Sequence, residues 1–506
     1  MRTRVRVAWN ILANTSGVLV NMLAVLVVMP YLIQRLGAST YGLWSLIGSM
    51  TGYLGVLDFG VRPAVGRLIA AHRARGEQQQ VNAVISTAFG VLLLVSILVG
   101  IATIFAVQLF PRIFPVPSAQ ALDVHHALVL VGLMVAVTFP ASVFDGFLWG
   151  YERFDLITAI EIPATVVRTA LFLTVVSRAT PLTSLAAIVT LVTIGSACLK
   201  ALLCFGLEPD LRLGGRHFAK SKVREIYSYG AWMSFISWSR TLIPQIGPTI
   251  IGHRLGTAAV TSFAVARQLV GSTDVLANSA TQVLAPRTIA AHATRSDVMQ
   301  EQLFIEGGKL SSALSLYFFG GLLCLGMPFI HRWQHGLQDA SYAMMVVLML
   351  GELLPISQWL TYSVIIGCMR HKALAWLAVC ECAMLVPLAW SAAGSAEVRG
   401  VCYAIALSAF LVRGLVRWIY GCRLVNVRLL DYVARVFAPV AAAAALPIAA
   451  LYLAVRAAAP QSYSAIFGLG AAYSVLFSAM LGFTLLGLSR LRSTMVLFLP
   501  QLRRLQ

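Results

Sequence analysis

Apolar runs of about 20 residues, each long enough to span a bilayer as a helix, recur from Asn10 to Leu488. The stretches between them are alternately rich and poor in Lys and Arg. Positive charge collects on the cytoplasmic side of a membrane, so the alternation gives both a class and an orientation. The chain reads as a many-pass membrane protein with both termini inside. With 59% hydrophobic and 11% charged residues in 506, and a mean hydropathy of +0.82, an ordinary soluble domain is excluded.

The net charge of +19 would suit a nucleic-acid binder, but its placement argues against one. The basic residues sit in short loops at the ends of apolar helices, where they meet anionic headgroups. The expected partners therefore include anionic lipids and exclude nucleic acid. Met1-Arg-Thr-Arg-Val-Arg6 resembles the start of a signal peptide. The following run carries Asn14, Thr15, Ser16 and Asn21 with no small-residue cleavage site after it, so it is kept as the first span. The eight cysteines are scattered through spans without metal spacing. They read as small apolar fillers, with no metal and no cofactor.

The pattern predicts about fourteen spans, near 10–33, 40–62, 82–108, 124–149, 156–177, 182–206, 228–252, 258–284, 309–331, 340–366, 373–393, 399–421, 433–455 and 464–488. With the N-terminus inside, each outer segment holds one arginine: Arg35, Arg112, Arg178, Arg254, Arg332, Arg399 and Arg456. The cytoplasmic segments hold most of the rest, including Arg62, Arg67, Arg73 and Arg75, then Arg212 to Arg224, then Arg417 to Arg435. The largest polar stretches, 207–227 and 286–308, fall inside. The tail after Leu488 reads as a basic interfacial or frayed segment.

Two elements recur. Arg35-Leu-Gly37 returns as Arg254-Leu-Gly256, and Ile69-Ala-Ala-His72 returns as Ile289-Ala-Ala-His292. Register, sidedness and spacing agree, which points to duplication of a six-span unit. An even number of spans gives both copies one orientation, hence two parallel lobes related by an axis along the membrane normal. The expected fold is an all-α integral membrane protein with two six-helix lobes around a central cavity plus two extra C-terminal helices. In numbers these are lobes at 1–206 and 228–421, a basic linker at 207–227, extra helices over 433–488 and a basic tail at 489–506.

Pro30-Tyr-Leu-Ile-Gln-Arg-Leu-Gly37, Tyr41-Gly-Leu-Trp44, Leu57-Asp-Phe-Gly60 with Arg67 and Ala70, and Gly150-Tyr-Glu-Arg-Phe154 follow one another along the first third. Together they resemble the polysaccharide transporters of the MOP superfamily (multidrug, oligosaccharidyl-lipid and polysaccharide exporters). The motifs cover residues 10–155; beyond them the resemblance rests on topology and the repeat. It implies a flippase carrying an undecaprenyl-pyrophosphate-linked oligosaccharide, for O-antigen, capsule or exopolysaccharide, to the periplasmic leaflet of a bacterial inner membrane. Polysaccharide polymerase and glycosyltransferases of the same pathway are then expected partners.

Ionisable groups inside a bilayer face a cavity or a partner. Near mid-depth lie Arg168, Arg240, Arg267, Glu352 and Glu381; nearer the cytoplasmic ends lie Asp58, Asp145 and Lys200. One reading makes them interhelical ion pairs. The other makes Arg240, helped by Arg267 and Arg168, a pyrophosphate site, since a guanidinium offers forked donors to phosphate oxygens. Pro244-Gln-Ile-Gly-Pro248 is expected to break the helix beside Arg240. Asn10, Asn14, Gly17 and Asn21 share one helical face, and Asn21 matches Arg240 in the repeat register, which adds Asn14 and Asn21 to the candidate cavity lining. Packing against neighbouring helices is the other reading of that amide stripe. Gly48-Ser-Met-Thr-Gly52 reads as helix packing alone. Glu352 and Glu381 are the candidate proton carriers if an ion gradient drives transport.

Competing classes are a cation-coupled drug exporter or lipid II flippase of the same superfamily, and a membrane-embedded polymerase or glycosyltransferase. An enzyme would need a sizeable outer loop or a catalytic motif, and neither Asp-x-Asp, His-Glu-x-x-His nor a phosphate-binding Gly-Lys loop occurs. No enzymatic activity is expected.

Overall fold

The structure, a computed structural model, describes residues 2–58, 60–284, 288 and 297–502. It is helical, with no strand among the described residues. In chain order the main helices are α1 (Arg2–Leu36), α2 (Ala38–Gly55), α3 (Val61–Ala74), α4 (Gln78–Ile113), α5 (Ala121–Gly150), α6 (Phe154–Val175), α7 (Leu182–Leu207), α8 (Lys220–Arg254), α9 (Thr257–Thr281) and α10 (Asp297–Trp333). There follow α11 (Ser341–Ser357), α12 (Trp359–Gly367), α13 (His371–Ser395), α14 (Glu397–Ser408), α15 (Arg417–Leu424), α16 (Leu429–Tyr432), α17 (Ala438–Ala458) and α18 (Tyr463–Leu502). Two π-helical stretches, Ala409–Val416 and Val433–Phe437, link α14 to α15 and α16 to α17.

Every expected span coincides with a helix or a pair of short ones, and eleven of the described helical segments are long and apolar enough to cross a membrane. The chain is a multi-pass membrane protein. The three expected spans outside that eleven are α2, α8 and α9. Gly, Ser, Thr, Tyr and charged residues dilute their apolar content. The structure adds α3, an amphipathic helix where a loop was expected, and extends α18 through the basic tail to Leu502.

The chain forms two compact units, Met1–Ala264 and Val265–Gln506. In the first, α3 crosses α5 so closely that a Cβ on Gly146 would lie 2.9 Å from Val65, and one on Gly150 would lie 2.7 Å from Ile69. These glycines let two backbones approach where any side chain would hold them apart. The next residues close the turn. Tyr151 donates its hydroxyl to Glu208 at 2.7 Å beneath the Arg73 guanidinium, Glu152 adopts φ 55°, and Arg153 forks onto Asp155. Gly150-Tyr-Glu-Arg-Phe154 is thus a folding motif. In the second unit Gly367-Cys-Met-Arg370 makes the same turn: Arg153 N–H bonds Leu148 O at 2.9 Å, and Arg370 N–H bonds Ile365 O at 3.0 Å.

The repeated Arg-Leu-Gly element is also a turn. Gly37 and Gly256 have φ 80° and 89°, a region that L side chains disfavour, and each ends one long helix and starts the next. In the first unit the two turns meet. Ser39 and Thr257 hydroxyls are 2.8 Å apart, and Thr261 donates to Ala38 O at 2.6 Å. A Cβ on Gly42 would sit 1.8 Å from the Thr257 carbonyl oxygen. The glycine of Tyr41-Gly-Leu-Trp44 therefore marks a backbone-to-backbone seam. Further along α2, Gly52 faces Gln245 of α8 and Tyr53 bonds Thr249 at 2.9 Å, whereas Gly48 meets no atom within 4 Å. Among the described residues, packing contacts are seen at the Gly52 end of the expected small-residue motif.

His72 of the first Ile-Ala-Ala-His element is buried, with Glu77 at 2.6 Å on one side and Lys222 at 3.0 Å on the other. The hydrogen bond from His72 holds the Glu77 carboxyl below its ordinary range. The second copy, 289–292, lies outside the described residues.

The helix beside Arg240 is not broken. α8 runs continuously through Pro244 and Pro248. Each proline deletes one backbone hydrogen bond, and a long packed membrane helix absorbs that loss where an isolated one would kink.

Candidate functional site

The first unit contains a cavity of about 350 Å³ built from three helical faces. Thr138, Ser142, Asp145 and Trp149 recur every three or four residues along α5. Glu161, Thr165 and Arg168 do so on α6, and Thr193, Ser196 and Lys200 on α7, with Arg62 of α3 at the rim. Lys200 is 7% exposed. Its ammonium lies 2.9 Å from Asp145 and also bonds Glu161. Arg62 reaches Asp145 at 4.0 Å. Among the described residues no carboxylate lies within ion-pair distance of Arg168. Ser142, Ser196 and Thr138 donate to carbonyls one turn back, at 2.7, 2.9 and 2.9 Å, which turns their lone pairs outward as acceptors.

The second unit holds a denser charge cluster. Arg413, in the centre of the π-helical stretch, donates to both oxygens of Glu352 at 2.7 and 3.1 Å and to Glu381 at 2.8 Å. Arg267 stands 3.8 Å from Glu352, and Arg417 donates to the Pro355 carbonyl at 2.9 Å. Glu352 and Glu381 are 5% and 1% exposed. The second Glu381 oxygen has no hydrogen-bond partner among the described residues. A forked guanidinium between two buried carboxylates is the arrangement in which ion pairs repay desolvation, and π-helical insertions concentrate at functional positions.

Of the candidate residues, the structure brings Glu352, Glu381 and Arg267 together and puts Arg168 in the first unit's cavity. Asn21 and Arg240 are exposed on α1 and α8. Asn14 lies on α1, and its side chain is outside the described residues. Sequence reasoning missed Arg413 and misplaced Arg417, which is buried against Pro355 and not in a cytoplasmic loop. Their four-residue spacing, in the span next to those carrying Glu352 and Glu381, was the available signal. It was hidden because Arg417 counted as a loop charge at the end of that span. Glu161 and Asp274 bond across helices, to Lys200 and to the Trp359 indole N–H at 2.9 Å.

A profile of the polysaccharide biosynthesis protein family matches residues 7–292. A candidate O-antigen transporter of Shigella flexneri is 19% identical over 384 residues, 74% of this chain and 87% of that one. Among solved structures, the lipid II flippase MurJ in an inward closed conformation superposes with a TM-score of 0.68 at 11% identity, covering 94% of this chain and 99% of that chain. An inward-facing multidrug resistance MATE family transporter of the MOP superfamily gives 0.63 at 14%, covering 79% and 98%. At such identities the likeness establishes the fold, which is that of the MOP transporters. The profile covers more than half of the chain and includes all the motifs that carried the resemblance. It establishes that this chain belongs to the polysaccharide biosynthesis protein family.

Proposed function

We propose that this protein flips a polyprenyl-pyrophosphate-linked oligosaccharide from the cytoplasmic to the periplasmic leaflet of a bacterial inner membrane by alternating access. The observation that carries the reading is the open, mixed-charge cavity around Arg168 in a chain of this family. A cavity inside a membrane unit with hydroxyls, carboxylates and a guanidinium that has no carboxylate partner among the described residues is costly unless something polar enters it. The O-antigen assignment of the Shigella flexneri relative supports the cargo class. Arg240, exposed on α8, is assigned to the pyrophosphate, with Asn21, exposed on α1, as a second polar contact for the cargo. Glu352 and Glu381 carry the coupling ion, with Arg413 between them.

The lobes are assigned to 1–206 and 228–421. The identical turns at 148–153 and 365–370 and the paired positive-φ glycines support that duplication. The arginine asymmetry supports cytoplasmic termini and a cytoplasmic 207–227 segment. Engineered cysteines in 207–227 should resist a membrane-impermeant maleimide in intact cells; efficient labelling would overturn the orientation. Polymerase and glycosyltransferases of the pathway are the assigned partners.

The test of function is flipping of a fluorescent lipid-linked oligosaccharide in proteoliposomes. Arg168→Ala and Arg240→Ala should each lower the rate more than tenfold while thermal stability in detergent is retained. Unchanged rates in both would refute the assignment. Transport of cationic dyes and not of the lipid-linked probe would favour the drug-exporter reading.

A further inference from the structure

We infer that the first unit's cavity is a sugar-binding subsite, which takes one pyranose ring of the glycan and stacks it on Trp149. The inference rests on the flippase reading and specifies which part of the cargo this cavity reads. The cation deepest in the cavity is already engaged, because the Lys200 ammonium is shared by Asp145 and Glu161. A carboxylate offers a pyrophosphate no donor, whereas sugar hydroxyls donate to carboxylates. Glu161 and Asp145 keep lone pairs for that purpose, and the hydroxyls of Ser142 and Ser196 present acceptors because their protons are held by their own helices. Arg168 supplies the complementary donors to ring and hydroxyl oxygens.

Trp149 completes the set. It lines the cavity, is 50% exposed, and meets Phe154 edge-on at 5.5 Å. An indole face offers the C–H edges of a pyranose a flat apolar surface, as it offers a stacking face to other rings and cations. The volume of about 350 Å³ lies at the small end of ligand pockets, which run from about 300 to 1,000 Å³. It fits one ring and not a whole repeat unit. The competing role for Trp149 is an anchor at the membrane interface.

Full-length protein in lipid nanodiscs would be titrated with farnesyl pyrophosphate and with the same lipid carrying one glucose, galactose or N-acetylglucosamine. The wild type should bind at least one glycosylated probe about tenfold more tightly than the bare one. Trp149→Ala and Glu161→Gln should reduce that preference to twofold or less and leave affinity for bare farnesyl pyrophosphate unchanged. Trp149→Phe, which keeps a flat ring in the fold, should retain part of the preference. A preference undiminished in Trp149→Ala and Glu161→Gln, or equal loss of both probes, would overturn the subsite. So would a wild type that binds every probe equally, though pyrophosphate recognition would then still stand. A wild type that binds no probe would overturn the flippase reading itself.

Discussion

Each unit places acidic and basic side chains within a membrane bundle, and the two do so in opposite ways. In the first, Asp145, Glu161 and Lys200 line an open cavity, and Glu161 is half exposed. In the second, the carboxylates Glu352 and Glu381 are almost wholly buried and both are held by Arg413, whose own side chain is 28% exposed. Charge in a low-dielectric interior is costly unless paired, and the cost of breaking a pair rises with burial. Accessibility, and not the number of charges, separates a surface that can exchange partners with a cargo from a cluster that must satisfy itself.

The sharpest way to break this contrast is Arg413→Ala, which strands two buried carboxylates. Removal of one member of such a cluster costs about 3–5 kcal/mol, so the variant should lose most of its thermal stability in detergent or fail to accumulate. A variant as stable as wild type would show that the second cluster is as open as the first. Restoring neutrality refines the point. Arg413→Met with Glu352→Gln and Glu381→Gln should recover most of the lost stability, because the uncompensated charge has gone. It should not recover flipping in proteoliposomes if those carboxylates couple an ion; recovered flipping would remove them from the mechanism.

A smaller loss is expected for Lys200→Met. Its partners can reach water through the cavity, so the penalty falls to roughly 1–3 kcal/mol, that of an unsatisfied buried polar group. A drop matching that of Arg413→Ala would erase the distinction between the units. The smallest effect belongs to Arg62→Ala. An exposed pair at 4.0 Å contributes about 0–1 kcal/mol, and a melting temperature close to wild type is the expected measurement.

Much of the fold was legible because the signals were long. Runs of apolar residues bounded by arginines located a helix at every expected span, and the motifs led to the right family. Those motifs proved to be architectural: Gly42, Gly150 and Gly37 mark places where backbones touch or turn. The charged sites were harder to read. Arg168, Glu352 and Glu381 stood out because they interrupt apolar runs, whereas Arg417 lay near a span's end and passed for a loop charge. Which charges pair is decided by contacts such as that of Lys200 with Asp145, 55 positions apart in the chain, and helical periodicity carries no record of them. The double proline in α8 misled for a related reason. Local propensity predicts a break, and tertiary packing decides otherwise.

The seam between the two Arg-Leu-Gly turns has no clearance, since even the methyl group of alanine at position 42 would collide with the backbone of Thr257. Ser39 and Thr257 face one another there with their hydroxyls 2.8 Å apart. Chemically, this is a natural place for a removable staple. Cysteines at 39 and 257 would fall within reach of a disulfide, and oxidation or reduction would then fasten or release two turns far apart in the chain. The eight native cysteines form no disulfide among themselves. A bond made at the seam would therefore turn a fixed contact into one an experimenter can close and reopen at will.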